Sequence, residues 1–321
     1  MKLIVQIPCL NEEETLPLTV RDIPRNIEGI DRIEILVIDD GSTDRTSEIA
    51  RELGVNHIIK FSNTKGLADA FIAGLDASLK LGADIIVNTD ADNQYNGDDI
   101  AKLVKPIIEG RTDIVVGDRE THKLEHFSIT KKFLQKLGSW IVRQVSNTDI
   151  PDATSGFRAY SKEAALKMNV ISRFTYTLET IIQAGKKNIA IDHVQIRTNE
   201  PIRKSRLYSN MFSYIKRSIS TIFRIYAMYE PLKIFFYIGG VVLSGGIIIS
   251  LRFLYFYLGG SGAGHVQSLI LAAVLMIIGF QIIVIGLVAD LISGNRSLLE
   301  DNLYRIRKME LFLGKTEERA E

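Results

Sequence analysis

Two uncharged, largely apolar runs, residues 234–251 and 266–289, constrain this chain more than any other feature of it. A run of that length satisfies its own backbone hydrogen bonds as a helix and can cross a hydrocarbon core of roughly 30 Å. Between the two runs, Gly259-Gly260-Ser261-Gly262-Ala263-Gly264-His265 forms a short flexible turn without Lys or Arg, so the pair reads as a transmembrane hairpin. The Gly-x-Gly spacing in that turn is not a dinucleotide loop, because no soluble strand precedes it and no soluble helix follows. Arg224 and Lys233 precede the hairpin, and Arg296, Arg305, Arg307 and Lys308 follow it. The positive-inside rule therefore places both ends on the cytoplasmic side. Arg252, near the far end of the first run, must snorkel or pair.

Charge sharpens this division. The 321 residues carry a formal net charge of +1, which excludes a global field for nucleic acid. From Arg197 to Arg224, however, basic residues dominate and Glu200 is the only acid. Arg203 and Arg206 lead into Met211-Phe212-Ser213-Tyr214-Ile215-Lys216-Arg217, a mixture suited to helices lying in a lipid interface. Nucleic acid is the competing partner for basic-plus-aromatic composition, and the hairpin that follows decides against it. The single cysteine, Cys9, excludes an intrachain disulfide, and no Cys/His cluster suggests zinc. The short apolar run at the N-terminus does not match a signal peptide, so the first domain is expected to face the cytoplasm. The expected division is a domain over 1–200, juxtamembrane amphipathic helices over 201–231, two transmembrane helices over 232–292 and a cytoplasmic tail over 293–321.

Before about residue 117, short apolar runs at 3–7, 33–38, 56–61, 85–89 and 113–116 alternate with amphipathic stretches at 12–22, 44–53, 67–81 and 98–109. That alternation predicts an α/β domain with a mostly parallel sheet and helices on both faces. Ligands of such sheets bind beyond the carboxyl ends of the strands, where several loops carry unusual residues. In Asn88-Thr89-Asp90-Ala91-Asp92-Asn93-Gln94, a buried strand stops at two carboxylates one residue apart. Hard oxygen ligands so placed suit Mg²⁺ or Mn²⁺ completed by substrate phosphates, although a lone Asp-x-Asp is also compatible with a solvated turn. Asn11 with Glu12-Glu13-Glu14 reads equally as a helix start. Asp39 and Asp40, side by side at a strand end, need a partner that a helix cap does not supply. Lys65-Gly66 opens a helix where backbone N–H groups and a cation can meet a phosphate or nucleobase, and Gly117-Asp118-Arg119 closes the fifth strand.

In this order and spacing, Pro8…Asn11-Glu12, Asp39-Asp40-Gly41-Ser42, Lys65-Gly66…Ala68, Asp90-Ala91-Asp92…Gln94 and Gly117…Arg119 resemble a family 2 glycosyltransferase. Within that family the resemblance is greatest to the dolichyl- or polyprenyl-phosphate sugar transferases. It covers roughly residues 1–230 and is specific because five loops agree. It implies a GT-A fold, Rossmann-like with a mostly parallel sheet, followed by interfacial amphipathic helices and the two-helix hairpin. It also implies that Pro8, Leu10, Glu12, Asp39, Asp40, Lys65 and Asp69 frame the nucleoside, and that Asp90, Asp92 and Gln94 hold the sugar-nucleotide's ribose and metal. Arg119 matches the basic residue of the family's Gly-x-Arg turn, whereas Asp118 departs from the small residue often found there.

Two later segments extend the candidate site. Residues 122–145 read as an amphipathic helix whose Lys131, Lys132, Lys136 and Arg143 either face solvent or meet a lipid phosphate. No Gln-x-x-Arg-Trp sequence accompanies the only tryptophan, Trp140, which argues against a processive polysaccharide synthase. Asp152-Ala153-Thr154-Ser155-Gly156-Phe157-Arg158 resembles the family's acceptor-side segment and can also be a plain turn into a short strand. The candidate catalytic residues are Asp92, Arg119 and Asp152. Arg203 and Arg206 join the nucleotide-sugar set, and Lys131 and Lys132 join Arg119 for the acceptor phosphate. The expected reaction moves a hexose-type sugar from a UDP- or GDP-sugar to undecaprenyl or dolichyl phosphate with inversion. The expected partners are the donor, the lipid, the membrane and, compatibly, further copies of the chain. The alternatives are transfer to a non-lipid glycan, with the hairpin as a tether, and a nucleotide-sugar-binding scaffold without turnover.

Overall fold

In the computed structural model the described residues are 1–120, 129–171, 175–200, 211–260 and 266–317, without the side chains of 129–137, 211–218 and 314–317. They form two units, Met1–Ile222 with Leu303–Glu321, and Phe223–Asn302. The first unit holds strands β1 (Lys2–Cys9), β2 (Arg32–Asp39), β3 (His57–Lys60), β4 (Ile85–Asn88), β5 (Ile114–Asp118), β6 (Arg158–Ser161) and β7 (Ile191–Gln195). Its helices are α1 (Leu16–Asp22), α2 (Thr46–Glu52), α3 (Leu67–Lys80), α4 (Ile100–Ile108), α5 (Ile129–Ser146), α6 (Lys162–Lys167) and α7 (Thr177–Lys186).

Side-chain alternation along the strands builds two cores. Leu3, Val5 and Ile7 of β1 point to one face and pack with Leu16 and Val20 of α1, Ala50 of α2 and Leu103 and Val104 of α4. Ile4 of β1, with Leu36 and Ile38 of β2, points to the other face against Phe71, Leu75 and Leu79 of α3 and Ala164 to Leu166 of α6. Each large apolar side chain so buried contributes about 1.5–3 kcal/mol, so the sheet is held from both sides.

The strand order is β3-β2-β1-β4-β6-β5-β7. β1, β2, β3 and β4 are mutually parallel, and β5 is parallel to β7. β6 lies between β4 and β5 and runs antiparallel to both, which the simple alternation of strands and helices does not foretell. The reversed strand begins at the edge where β4 and β5 end, pairing Arg158 with Asn88 and with Val116. That reversal brings the residues before β6 to the same edge as the ends of β1, β2, β4 and β5.

The second unit contains the end of α8 (Met211–Tyr229), all of α9 (Pro231–Leu258) and most of α10 (Val266–Glu317). α9 and α10 are long and apolar enough to cross a membrane. Val241, Ile248 and Leu258 on α9 and Ile270 and Phe280 on α10 are exposed, as lipid-facing side chains are. The two helices approach closely at glycines seven apart on each: a Cβ on Gly246 would lie 2.9 Å from the Ala272 carbonyl oxygen, one on Gly279 2.6 Å from Leu243 N, and one on Gly286 2.6 Å from Phe235 Cβ. Arg252 places its guanidinium 5.6 Å from the Phe256 ring centre, which answers its need for a partner. At 1.5 Å per residue the 52 residues of α10 run roughly 78 Å, well beyond one bilayer core. Its last turns belong to the first unit, where Tyr304 donates to Glu163 at 2.9 Å and Arg307 Nη1 donates to the Met168 carbonyl at 2.9 Å.

Candidate active site

The first three loops at the sheet edge are tied to one another by backbone amides. Asn11 has φ 54°, so it is not the helix cap its position suggests, and α1 starts only at Leu16. Its Oδ1 instead accepts from Thr43 N at 2.8 Å, while Glu12 N donates to Thr46 Oγ1 at 2.9 Å. Asp39 is fully buried. It accepts from Ser42 N at 2.7 Å and from the Ser47 hydroxyl, and these bonds with Lys60 hold its carboxyl below the ordinary range although burial opposes them. Asp40 accepts from Lys65 N at 2.7 Å and Gly66 N at 2.9 Å. The partners the acid pair needs are thus largely peptide N–H groups of its own loop and of the next one. Gly41 has φ 74° and a Cβ there would lie 2.7 Å from the Asn63–Thr64 backbone, so no other residue lets these loops meet. Lys65 Nζ lies 4.4 Å from the Phe61 ring centre, on the third of these loops.

Asp90 and Asp92 follow β4. Asp92 Oδ1 accepts from Gln94 N at 3.2 Å, which ties the Gln94 backbone to the second acid. Loss of water around its carboxyl, and next the charge of Asp92, push Asp90 up to about 7; Arg119 opposes the shift and Glu12 adds to it. Asp90, Asp92, Glu12 and Asp152 share one guanidinium, a crowding of carboxyl groups that a cation would relieve. Among the described residues no group of three or more His, Cys, Asp and Glu side chains forms a self-sufficient metal cage. Two carboxylates and an amide match Mg²⁺ or Mn²⁺, which keep waters and take substrate phosphates as remaining ligands. The residues present therefore fit such an ion.

Arg119 and Asp152 meet across a separation of 33 residues as a bidentate pair, Nε to Oδ2 at 2.7 Å and Nη2 to Oδ1 at 3.0 Å. Thr154 Oγ1 accepts a further bond from Arg119 at 2.9 Å. Asp118 shapes this turn by accepting from Glu120 N at 2.9 Å, where φ is 44°, so the acid that departs from the expected small residue has a local structural role. Burial alone would raise the Asp152 pKa, but the charge and hydrogen bonds of Arg119 with the Thr154 hydroxyl hold it below the carboxylate range. A depressed carboxyl stabilises the fold above its unfolded pKa of about 4, and that stability disappears as pH falls through the lower folded value. The melting temperature of Asp152→Asn in detergent should therefore lie well below wild type at pH 7 and converge on it below about pH 4. A gap that stays constant to pH 3 would contradict this. Asp90 acts with the opposite sign between about pH 4 and 7 but is common to both proteins.

The loop after β4 is strapped from outside. Asn199 N donates to the Gln94 carbonyl at 2.9 Å, Asn199 Nδ2 to the Asn93 carbonyl at 3.0 Å, and Tyr95 and Thr198 form an antiparallel bridge. Arg197 anchors this strap on the buried Asp99, N to Oδ2 at 2.6 Å and Nη2 to Oδ1 at 2.9 Å.

Residues 4–168 match the family described as glycosyl transferase family 2. The chain belongs to that family. Its relatives include the UDP-N-acetylglucosamine–dolichyl-phosphate N-acetylglucosaminyltransferase of Methanococcus voltae, 34% identical over 60% of this chain and 83% of the relative. Similarity to the undecaprenyl-phosphate 4-deoxy-4-formamido-L-arabinose transferase of Photorhabdus laumondii is lower, at 26%, but extends over 91% of this chain and 89% of that one. Among solved structures, the glucosyl-3-phosphoglycerate synthase of Mycobacterium tuberculosis, in complex with Mn²⁺, UDP and glucosyl-3-phosphoglycerate, aligns with a TM-score of 0.57 at 20% identity, covering 70% of this chain and 79% of that chain. The fold is thus of the GT-A type.

In this family 2 glycosyltransferase the structure gathers Leu10, Glu12, Asp39, Asp40 and Lys65 on the first three loops, with Pro8 buried at the end of β1 and Asp69 in the first turn of α3. Asp90, Asp92 and Gln94 share one loop, and Arg119 is joined to Asp152. Arg203 and Arg206 lie outside the described residues, as do the side chains of Lys131 and Lys132. Sequence reasoning missed Asn88, Tyr95, Arg158, Tyr176 and Asn199. Asn88 alone carried a signal, as an amide ending the buried run Ile85-Ile86-Val87, and it donates to the Gly156 carbonyl at 2.9 Å and Tyr176 Oη at 2.8 Å.

Proposed function

We propose that the chain transfers a hexose-type sugar from a UDP- or GDP-sugar to a polyprenyl phosphate, undecaprenyl or dolichyl, with inversion at the anomeric carbon. The observation that carries this reading is the coexistence, on one family 2 chain, of the Asp90–Asp92–Gln94 edge and two helices apolar enough to cross a membrane. One substrate would then be soluble and the other held in the bilayer. The names of the relatives, which act on dolichyl and undecaprenyl phosphates, support the same acceptor class. The basic residues flanking the hairpin support a cytoplasmic site, with residues 1–200 as the transferase domain.

In this reading a lipid-phosphate oxygen forms the new bond to the anomeric carbon, and the old bond to the diphosphate oxygen breaks, its electron pair leaving with the nucleoside diphosphate. A phosphate monoester has a second pKa of about 6, so the acceptor is already anionic and needs no strong base. Asp152, held ionised by Arg119, fits the task of orienting that guanidinium rather than of taking a proton. Arg119 presents fixed positive charge to a phosphate, with Lys131, Lys132, Arg203 and Arg206 as further phosphate partners. Asp90, Asp92 and Gln94 would hold Mg²⁺ or Mn²⁺, and the ion would supply positive charge at the leaving diphosphate. The loops of Leu10, Glu12, Asp40 and Lys65 frame the nucleoside.

Membranes containing the full chain, supplied with undecaprenyl or dolichyl phosphate and a panel of labelled UDP- and GDP-sugars, test the reading. Label extracted into the organic phase is expected. Label confined to a water-soluble glycan would favour a tethered transferase, and binding without turnover a scaffold.

A further inference from the structure

The hydroxyl of Tyr95, the residue after Gln94, stands between Asp90 and Gly156. Tyr95 is buried, 5% exposed, and its ring stacks on Phe157 with centroids 4.9 Å apart. Gly156 N donates to Tyr95 Oη at 3.0 Å, and the Asp90 carboxyl lies against the same glycine. A phenol offers one proton and accepts through its oxygen. The peptide N–H can only donate and so takes up the accepting side. The hydroxyl proton is left for the carboxylate.

The Gly156 peptide that fixes this hydroxyl is itself held. Its carbonyl accepts from Asn88 Nδ2 at 2.9 Å and from Tyr176 Oη at 3.3 Å. Its missing side chain matters as well, since a Cβ there would lie 2.9 Å from Asp90 Oδ1 and 3.0 Å from Oδ2. On the other side, the backbone of Tyr95 is bridged to Thr198 and its neighbour Gln94 accepts from Asn199 N. One residue thus links the first acid of the site to the segment bearing its amide.

We infer that Tyr95 is a positioning residue that aims Asp90 at the cation site, its hydroxyl donating to the carboxylate while the Gly156 amide locks the hydroxyl's direction. The inference rests on the reading of Asp90, Asp92 and Gln94 as the cation's residues. Partners that orient metal ligands typically cost 10–100-fold in metal affinity when removed.

The test is Mn²⁺ titration of the full chain in detergent, followed by electron paramagnetic resonance, with melting temperatures measured in parallel. Tyr95→Phe keeps the stacked ring and removes only the hydroxyl, and is expected to weaken Mn²⁺ binding about 10–100-fold, with turnover recovering at high Mn²⁺. Tyr160→Phe, which removes a buried hydroxyl from β6, controls for lost stability and should bind Mn²⁺ as wild type does. Gly156→Ala keeps the hydroxyl but crowds Asp90, and gives a second measurement should Tyr95→Phe fold poorly; it too should bind more weakly. If Asp92→Asn abolishes Mn²⁺ binding while Tyr95→Phe or a folded Gly156→Ala binds as tightly as wild type, the role of Tyr95 is wrong. If Asp92→Asn itself binds Mn²⁺ as wild type does, the cation reading fails and takes this inference with it.

Discussion

Asp92→Asn is expected to lower sugar transfer on the order of 10²–10³-fold, while the protein folds and enters membranes as before. The asparagine carbonyl can still accept from Gln94 N, the bond Asp92 makes at 3.2 Å, so the shape of the loop should survive. What disappears is a charge. Asp92 is the charged neighbour that raises Asp90 most, after burial, so its removal also lets Asp90 ionise more readily. The variant therefore separates two explanations of the acid pair. If the pair serves only to terminate β4, relieving repulsion should raise stability and leave turnover alone. If it balances a cation on a diphosphate, turnover collapses and added Mg²⁺ or Mn²⁺ restores only part of it. Activity near wild type at saturating metal would remove Asp92 from the catalytic set. The measurement is initial rate against metal concentration, with the melting temperature as control.

The sheet edge was legible because its signals are local. An apolar run that ends in acids, or in Gly and a base, announces a strand end within a few residues, and five such ends fall at one edge of the sheet. The hairpin was legible for the same reason, as uninterrupted apolar length. What could not be read joins distant segments. Nothing near Arg119 in the chain indicates that Asp152 will receive its fork, and nothing near Asp90 indicates a hydroxyl fixed by Gly156. The strap of Asn199 on the Gln94 loop spans more than a hundred residues. The contacts of Asp152 and Gly156 depend on one topological event, the insertion of β6 in reverse between β4 and β5, and strand order is not encoded in hydrophobic period. Asn11 shows the converse failure. Its local signal was a helix cap, and tertiary contact with Thr43 overrode it.

Arg158→Met should destabilise the first unit by about 3–5 kcal/mol, a large share of what a domain of this size possesses. Arg158 is fully buried at the start of the reversed strand. Its Nε donates to the Ser155 carbonyl at 2.8 Å, Nη2 to the Ala153 carbonyl at 2.9 Å, and Nη1 to the Thr177 carbonyl at 2.8 Å and Thr180 Oγ1 at 2.6 Å. Methionine has similar length and relieves the cost of burying a charge, which is why exchanging a buried ion pair for apolar side chains is sometimes neutral. That compensation needs both partners to be replaced. Here three of the four partners are backbone carbonyls that no companion mutation removes, and each acceptor left dry costs about 1–3 kcal/mol. The Thr177 carbonyl keeps a bond from Thr180 Oγ1 at 3.3 Å, which limits the loss on that side. The 153–155 turn has no such reserve from Arg158, and it joins Asp152 to Gly156. Its loosening should release Asp152 from Arg119 and the Gly156 amide from Tyr95, so activity should fall together with stability. A drop of roughly 10 °C in melting temperature is expected, and Arg158→Lys, with a charge but no fork, should fall between. A Met variant that melts within about 2 °C of wild type would show that the turn is held by its neighbours and not by the guanidinium.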